Sequence, residues 1–171
     1  MIITTIAELC VQHDKPLDLV RVAWMAGRSI RYFQQAFTQL HKIITQVGVS
    51  RVVLELNAMP DIPVYDQLWL STTFMPALLK LPLKQVVVVL SAQRVYNQQV
   101  VEGVLAAASM SILFDVQFFA QSEAALAWLT DDSPRLPLLM REWASSCGSH
   151  TLDTNEVAEP RPPYRRPGPA N

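Results

Sequence analysis

Four consecutive valines, Val86 to Val89, constrain this chain more than any other stretch. They lie within Gln85 to Leu90, an apolar β-branched run that offers no polar face. Such a run suits a central strand, buried on both sides of a helix-covered sheet.

The flanking segments alternate in character. Arg51 to Leu56 reads as a second strand. Ile112 to Phe119 reads as a third, with Phe114, Val116 and Phe118 facing one way and Asp115 and Gln117 the other, as suits a sheet edge. Before these, Ile2 to Ile6 and Leu17 to Met25 read as a hairpin across the turn His13-Asp14-Lys15-Pro16.

Helices fill the intervals. Ile30, Phe33, Phe37, Leu40, Ile44 and Val47 recur at three- and four-residue steps, with Ser29 as cap and Gly48 as stop. Asp66 to Leu79 carries Leu68, Thr72, Met75 and Leu79 on one face. Pro76 falls inside it and predicts a kink or restart. Asn97 is placed to cap a helix through about Ala108, and Ser122 to cap a short one ending at Leu129. The order predicts an α/β fold: a mixed, mostly parallel sheet of four to five strands with helices packed on it.

The chain divides by composition. Residues 1–130 form the expected domain. Within 131–143, Leu136 to Trp143 makes one weak amphipathic helix that folds back on the domain or docks on a neighbour. Residues 160–171 hold five prolines, and 144–171 carries no apolar period, which predicts a disordered, Pro-rich tail.

Half of the residues are apolar and only 17% are charged, with a formal net charge of −1. That balance attracts neither nucleic acid nor an anionic membrane. It leaves apolar surface for a second subunit, and a homodimer is expected. No apolar run approaches the roughly 20 residues of a membrane-spanning helix, so no membrane insertion is expected. The first residues lack the basic start and apolar stretch of a signal peptide. Cys10 and Cys147, the two cysteines, are too distant in sequence to read as a disulfide framework. Cys10 reads as an inert small apolar residue, and a cytoplasmic location is the default.

Chemistry-bearing residues are sparse. No serine has a legible His–Asp partner, the three histidines are not at metal-ligand spacing, and five glycines form no phosphate loop. The candidates lie where parallel strands end, the usual ligand position in open α/β sheets. They are Asn57, Asp61, Tyr65, Asp66, Ser91, Arg94 and Tyr96. Arg94 either pairs with Asp66, grips an acidic group, or is a solvated loop residue beside an Asp66 that caps its helix. Trp69 is either core or a partner anchor.

Three stretches resemble a known family. Val52-Val53-Leu54-Glu55-Leu56-Asn57 resembles its central strand. Tyr65-Asp66-Gln67-Leu68-Trp69-Leu70 with Phe74-Met75-Pro76-Ala77 resembles its Asp-Gln-x-Trp helix and following proline. Ser122 to Leu129 resembles its closing Glu-Ala-x-x-Trp-Leu helix. The family is that of the SpoIIAA-like, or STAS-like, domains, small bacterial proteins related to anti-sigma-factor antagonists. The resemblance spans residues 1 to 130. It implies a mixed sheet, no cofactor and a binding role. It also departs from the family's switch, since Asp61 to Asp66 contains no Ser or Thr to phosphorylate.

The first expectation is therefore a non-enzymatic binding or regulatory module that contacts a protein partner. The second is a carrier of a small apolar ligand or lipid, as in related lipid-carrier domains of this topology. The third is an enzyme at the strand ends.

Overall fold

The computed structural model describes residues 1–148. The expected disordered tail starts too early at 144, since a helix runs on to Ser146 and Cys147 is buried; its remainder, 149–171, lies outside the described residues. The fold is α/β, with one sheet of six strands in the order β1-β2-β3-β4-β5-β6. These are Ile2–Ile3, Leu9–Asp14, Leu19–Trp24, Arg51–Glu55, Gln85–Val89 and Asp115–Phe119. The first three are antiparallel neighbours. From β3 to β6 all pairing is parallel.

The sheet is mixed as expected, but it has six strands rather than four or five. The difference lies at the amino end. The hairpin partner of β3 is β2, with Leu9 opposite Trp24 and Asp14 opposite Leu19. Ile2–Ile3 pairs on the far side of β2. The turn falls at Lys15 to Asp18, where Asp18 adopts a left-handed φ of 52° and the Asp14 carboxylate accepts the Leu17 N–H at 3.0 Å.

Each parallel step moves one strand in the same direction. Crossovers of one hand then place every connecting helix on one face. Those helices are α1 (Phe33–Val47), the pair α2 (Val64–Trp69) and α3 (Met75–Leu78), and α4 (Val95–Ala107). The larger core lies beneath them and includes Trp24, Phe33, Leu40, Val52, Met59 and Ile62. Gly48 ends α1 at a left-handed φ of 65°. A π turn, Leu70–Phe74, joins α2 to α3. It closes through the Met75 N–H on the Leu70 carbonyl, directly before Pro76, so the interruption predicted from that proline takes the form of one widened turn.

The four valines do what their chemistry dictates. Val86 and Val88 enter the larger core, and Val87 and Val89 enter a second one on the opposite face. Burying each contributes roughly 1.5–3 kcal/mol. The second core is closed by α5 (Ser122–Thr130) and α6 (Leu136–Ser146). Ala125, Leu126, Leu129 and Leu139 meet Leu19, Val53, Val87 and Val89 there. The weak amphipathic helix of the sequence is thus α6, and it packs on the domain.

The face under α6 is polar as well as apolar. Arg21 Nε donates to Glu55 Oε1 at 2.5 Å, and both side chains are almost wholly buried. The Arg21 guanidinium lies 3.8 Å from the Trp143 ring centroid, and Nη1 is 3.6 Å from Met140 Sδ. Burial pulls the Arg21 pKa below its ordinary value, against the opposing effect of Glu55. Gln12 donates to the Leu139 carbonyl at 3.0 Å and to Glu142 at 2.6 Å. That bond, followed by one from the Met1 amine, holds the Glu142 carboxyl below its usual range. Arg135 grips both oxygens of Asp14, at 3.0 and 2.9 Å.

Cys10 and Cys147 are joined as a disulfide, with Cα atoms 6.1 Å apart, within the usual span of about 4.4–6.8 Å. This corrects the reading of Cys10 as an unpaired apolar residue. Residues 137 apart in sequence meet because α6 returns across β2. The cytoplasmic expectation drew on scarce, unpaired cysteines, and the pairing removes that support. No helix of the described residues is long and apolar enough to cross a membrane.

Closing so long a loop restricts the unfolded chain strongly. Cys10→Ala in the full chain is expected to cost about 2–4 kcal/mol in urea unfolding under oxidising conditions. Dithiothreitol should lower the wild type by a similar amount and leave the variant unchanged. An unchanged wild-type midpoint in dithiothreitol would mean that the bond does not hold α6.

Candidate functional site

The carboxyl ends of β4 and β5 form a rim built from two loops. One runs from Leu56 to Pro63 and leads into α2. The other runs from Leu90 to Arg94 and leads into α4. They are cross-linked by hydrogen bonds from residues the sequence singled out. Asn57 Oδ1 accepts the Ser91 N–H at 2.7 Å. Arg94 Nη2 donates to the Met59 carbonyl. Tyr96 donates its hydroxyl to the Ile62 carbonyl at 3.2 Å and accepts from Gln67 Nε2 at 2.9 Å.

The strongest tie came from a residue given only a capping role by its sequence. Asn97 is 1% exposed. Its Oδ1 accepts the Ile62 N–H at 3.0 Å, and its Nδ2 donates to the Pro60 and Met59 carbonyls at 3.0 and 3.3 Å. Helix α4 begins two residues earlier, at Val95. Asn97 is therefore inside the first turn, and its side chain serves the neighbouring loop. An asparagine beside a helix start reads as a cap; only the distant loop shows otherwise.

The remaining candidates separate. Asp66 sits in the first turn of α2 rather than at its cap, which is Pro63. Its carboxylate accepts from Gln34 Nε2 of α1 at 2.9 Å, while Arg94 reaches Met59. The two are thus engaged elsewhere rather than with each other. Trp69 is half-buried, edge-on to Phe33 at 6.1 Å and stacked with Phe74 at 5.7 Å. It belongs to the core. Asp61 is exposed, and Tyr65 is 85% exposed. Ser91 Oγ and Arg94 Nε are buried atoms without a hydrogen-bond partner among the described residues.

The rim's cross-loop ties lie beneath its surface, which carries exposed polar groups at Asp61 and Gln93 and exposed apolar groups beside them. Val64, Tyr65 and Leu68 of α2 are exposed, as are Val95 and Tyr96 of α4. Tyr96 and Gln67 join the two helices through their hydrogen bond, so these side chains share one end of the sheet. Among the described residues no group of three or more His, Cys, Asp or Glu is placed to hold a metal ion.

Removing the Asn97 amide leaves one N–H and two carbonyls of a buried loop short of partners. Asn97→Ala is expected to cost about 2–3 kcal/mol and to speed amide exchange across 58–63. Tyr65→Ala should stay within about 0.5 kcal/mol of wild type. Equal effects of the two substitutions would show that the loop is held by other contacts. No family model matches the chain, and none of the curated proteins or solved structures matches it.

Proposed function

We propose that the chain is a non-enzymatic binding module of the SpoIIAA-like kind, docking a protein partner on the rim at the ends of β4 and β5. The observation that carries the reading is the outward set Val64, Tyr65, Leu68, Val95 and Tyr96, carried by α2 and α4 next to loops that are tied together from within. Exposed aromatic and aliphatic side chains on a rigid support suit a protein contact, because little ordering entropy is lost on docking. The three family-like stretches support the domain type. Without a Ser or Thr between Asp61 and Asp66, binding proceeds with no phosphorylation switch at that position.

The reading includes a homodimer formed through β6. Among the described residues that strand has a neighbour on one side only, and a second strand would find N–H and C=O groups along its outer edge. Met110, Leu113 and Phe118 are exposed around it. The reading also keeps the cytoplasm as the location. There a glutathione pool reduces all but low-potential disulfides, and α6 would depend more on its ion pairs and packing.

A photo-crosslinking benzophenone residue placed at each of three positions in the producing cell tests both contacts. At position 65 it should trap one foreign protein, and Leu68→Glu should abolish the adduct. At position 118 it should trap a second copy of the 19.2 kDa chain. At exposed Glu102, the control, it should trap neither. Absence of a protein adduct at 65, or an equal adduct at 102, would remove the rim as the docking surface.

A further inference from the structure

We infer that the crevice between α4 and the π–α3 segment is a binding site for a small, uncharged, mostly apolar molecule. Its mouth lies at the opposite end of α4 from the rim, while Leu56, Met59 and Ile62 of the rim loop help to wall its inner space.

Two adjoining spaces define the crevice. The inner one is a cavity of about 70 Å³ under α4, walled by Phe37, Leu54, Phe74, Val104 and Phe114 among other apolar side chains. The outer one is a pocket of about 210 Å³ at the surface, bounded by Ser71, Pro76, Leu79, Ala107 and Ser111. Met75 and Val104 line both. These two side chains are therefore the partition between an apolar chamber and its mouth.

The surrounding structure permits that partition to move. Helix α4 is fully buried only at Asn97 and Val100, near its start. Val101, Val104 and Leu105 are only partly buried, although they face the core. The helix is thus anchored at one end and loosely packed along the rest. The facing wall includes the π turn Leu70–Phe74. Such turns are uncommon and recur where a helix has been reshaped around a function.

The lining sets the ligand chemistry. Among the described residues no charged side chain borders either space, so an ion would lose its hydration without compensation. The chamber exceeds the roughly 10–15 Å³ that one water needs. It offers water no partners, and apolar cavities of this kind stay dry and take up small hydrocarbons. Ser71 and Ser111 provide hydroxyls at the mouth alone. A short alkyl chain in the chamber with one hydroxyl or carbonyl near the serines satisfies both regions. A full-length lipid does not fit, since sites for larger ligands enclose about 300–1,000 Å³.

The test uses the full chain with 1-aminoanthracene as fluorescent probe and 1-octanol as competitor. Wild type should show saturable, blue-shifted emission that 1-octanol reverses. Val104→Phe fills the partition and should weaken probe binding at least tenfold with an unchanged far-ultraviolet circular dichroism spectrum. Ala108 also lines the outer pocket; Ala108→Leu narrows the mouth and should have the same direction of effect, and it decides alone if Val104→Phe fails to fold. Leu68→Glu, at the rim, should leave binding unchanged. The inference is overturned if wild type shows no saturable binding, if Ala108→Leu binds as tightly as wild type, or if Leu68→Glu abolishes binding.

Discussion

A buried ion pair governs how this sheet is covered. Arg21 and Glu55 lie on neighbouring strands, with Arg21 opposite Val53 and Glu55 two residues further along, and both point away from the crossover helices. Taking two charges out of water costs several kcal/mol for each ion, and only close geometry with further contacts offsets it. The cover over this face must therefore do more than exclude water. Helix α6 meets that requirement with the Trp143 ring over the guanidinium and Met140 beside it. Gln12 and Asp14, on the same side of β2, bind the helix through Leu139, Glu142 and Arg135.

This division of labour follows from topology. A sheet wound in one direction receives its crossover helices on one face, so the other depends on segments that come after the last strand. Helices α5 and α6 fill that role, and the Cys10–Cys147 bond fixes the far end of α6 to β2. The rim and the α4 crevice lie away from this anchored face. The scaffold is thus firm where it holds charge and open where it presents apolar side chains.

Much of the first face was legible because its signals are local. The four valines announced a strand buried on both sides, and the period of Phe33, Phe37, Leu40 and Ile44 announced the buried stripe of α1. What escaped was set by partners distant in sequence. Strand β2 carries Gln12 and Asp14 toward the protein interior, so its alternation resembles a solvent-facing loop rather than a strand. The disulfide and the network beneath α6 join residues more than one hundred positions apart. At the rim, Asn57 and Tyr96 were found from the strand ends alone. The part played by Asn97 was hidden because a cap and a cross-loop tie use the same amide.

Arg21 and Glu55 act as a unit that the α6 cover completes. A double-mutant cycle with Arg21→Met and Glu55→Leu, followed by urea unfolding, addresses this directly. Each single change should cost about 3–5 kcal/mol, because it strands the other charge in a buried site. The double variant should be much more stable than the sum of the two costs implies, recovering most of the loss. Single costs under about 1 kcal/mol that simply add would contradict the account, since they would mean that water reaches the pair and α6 does not seal it.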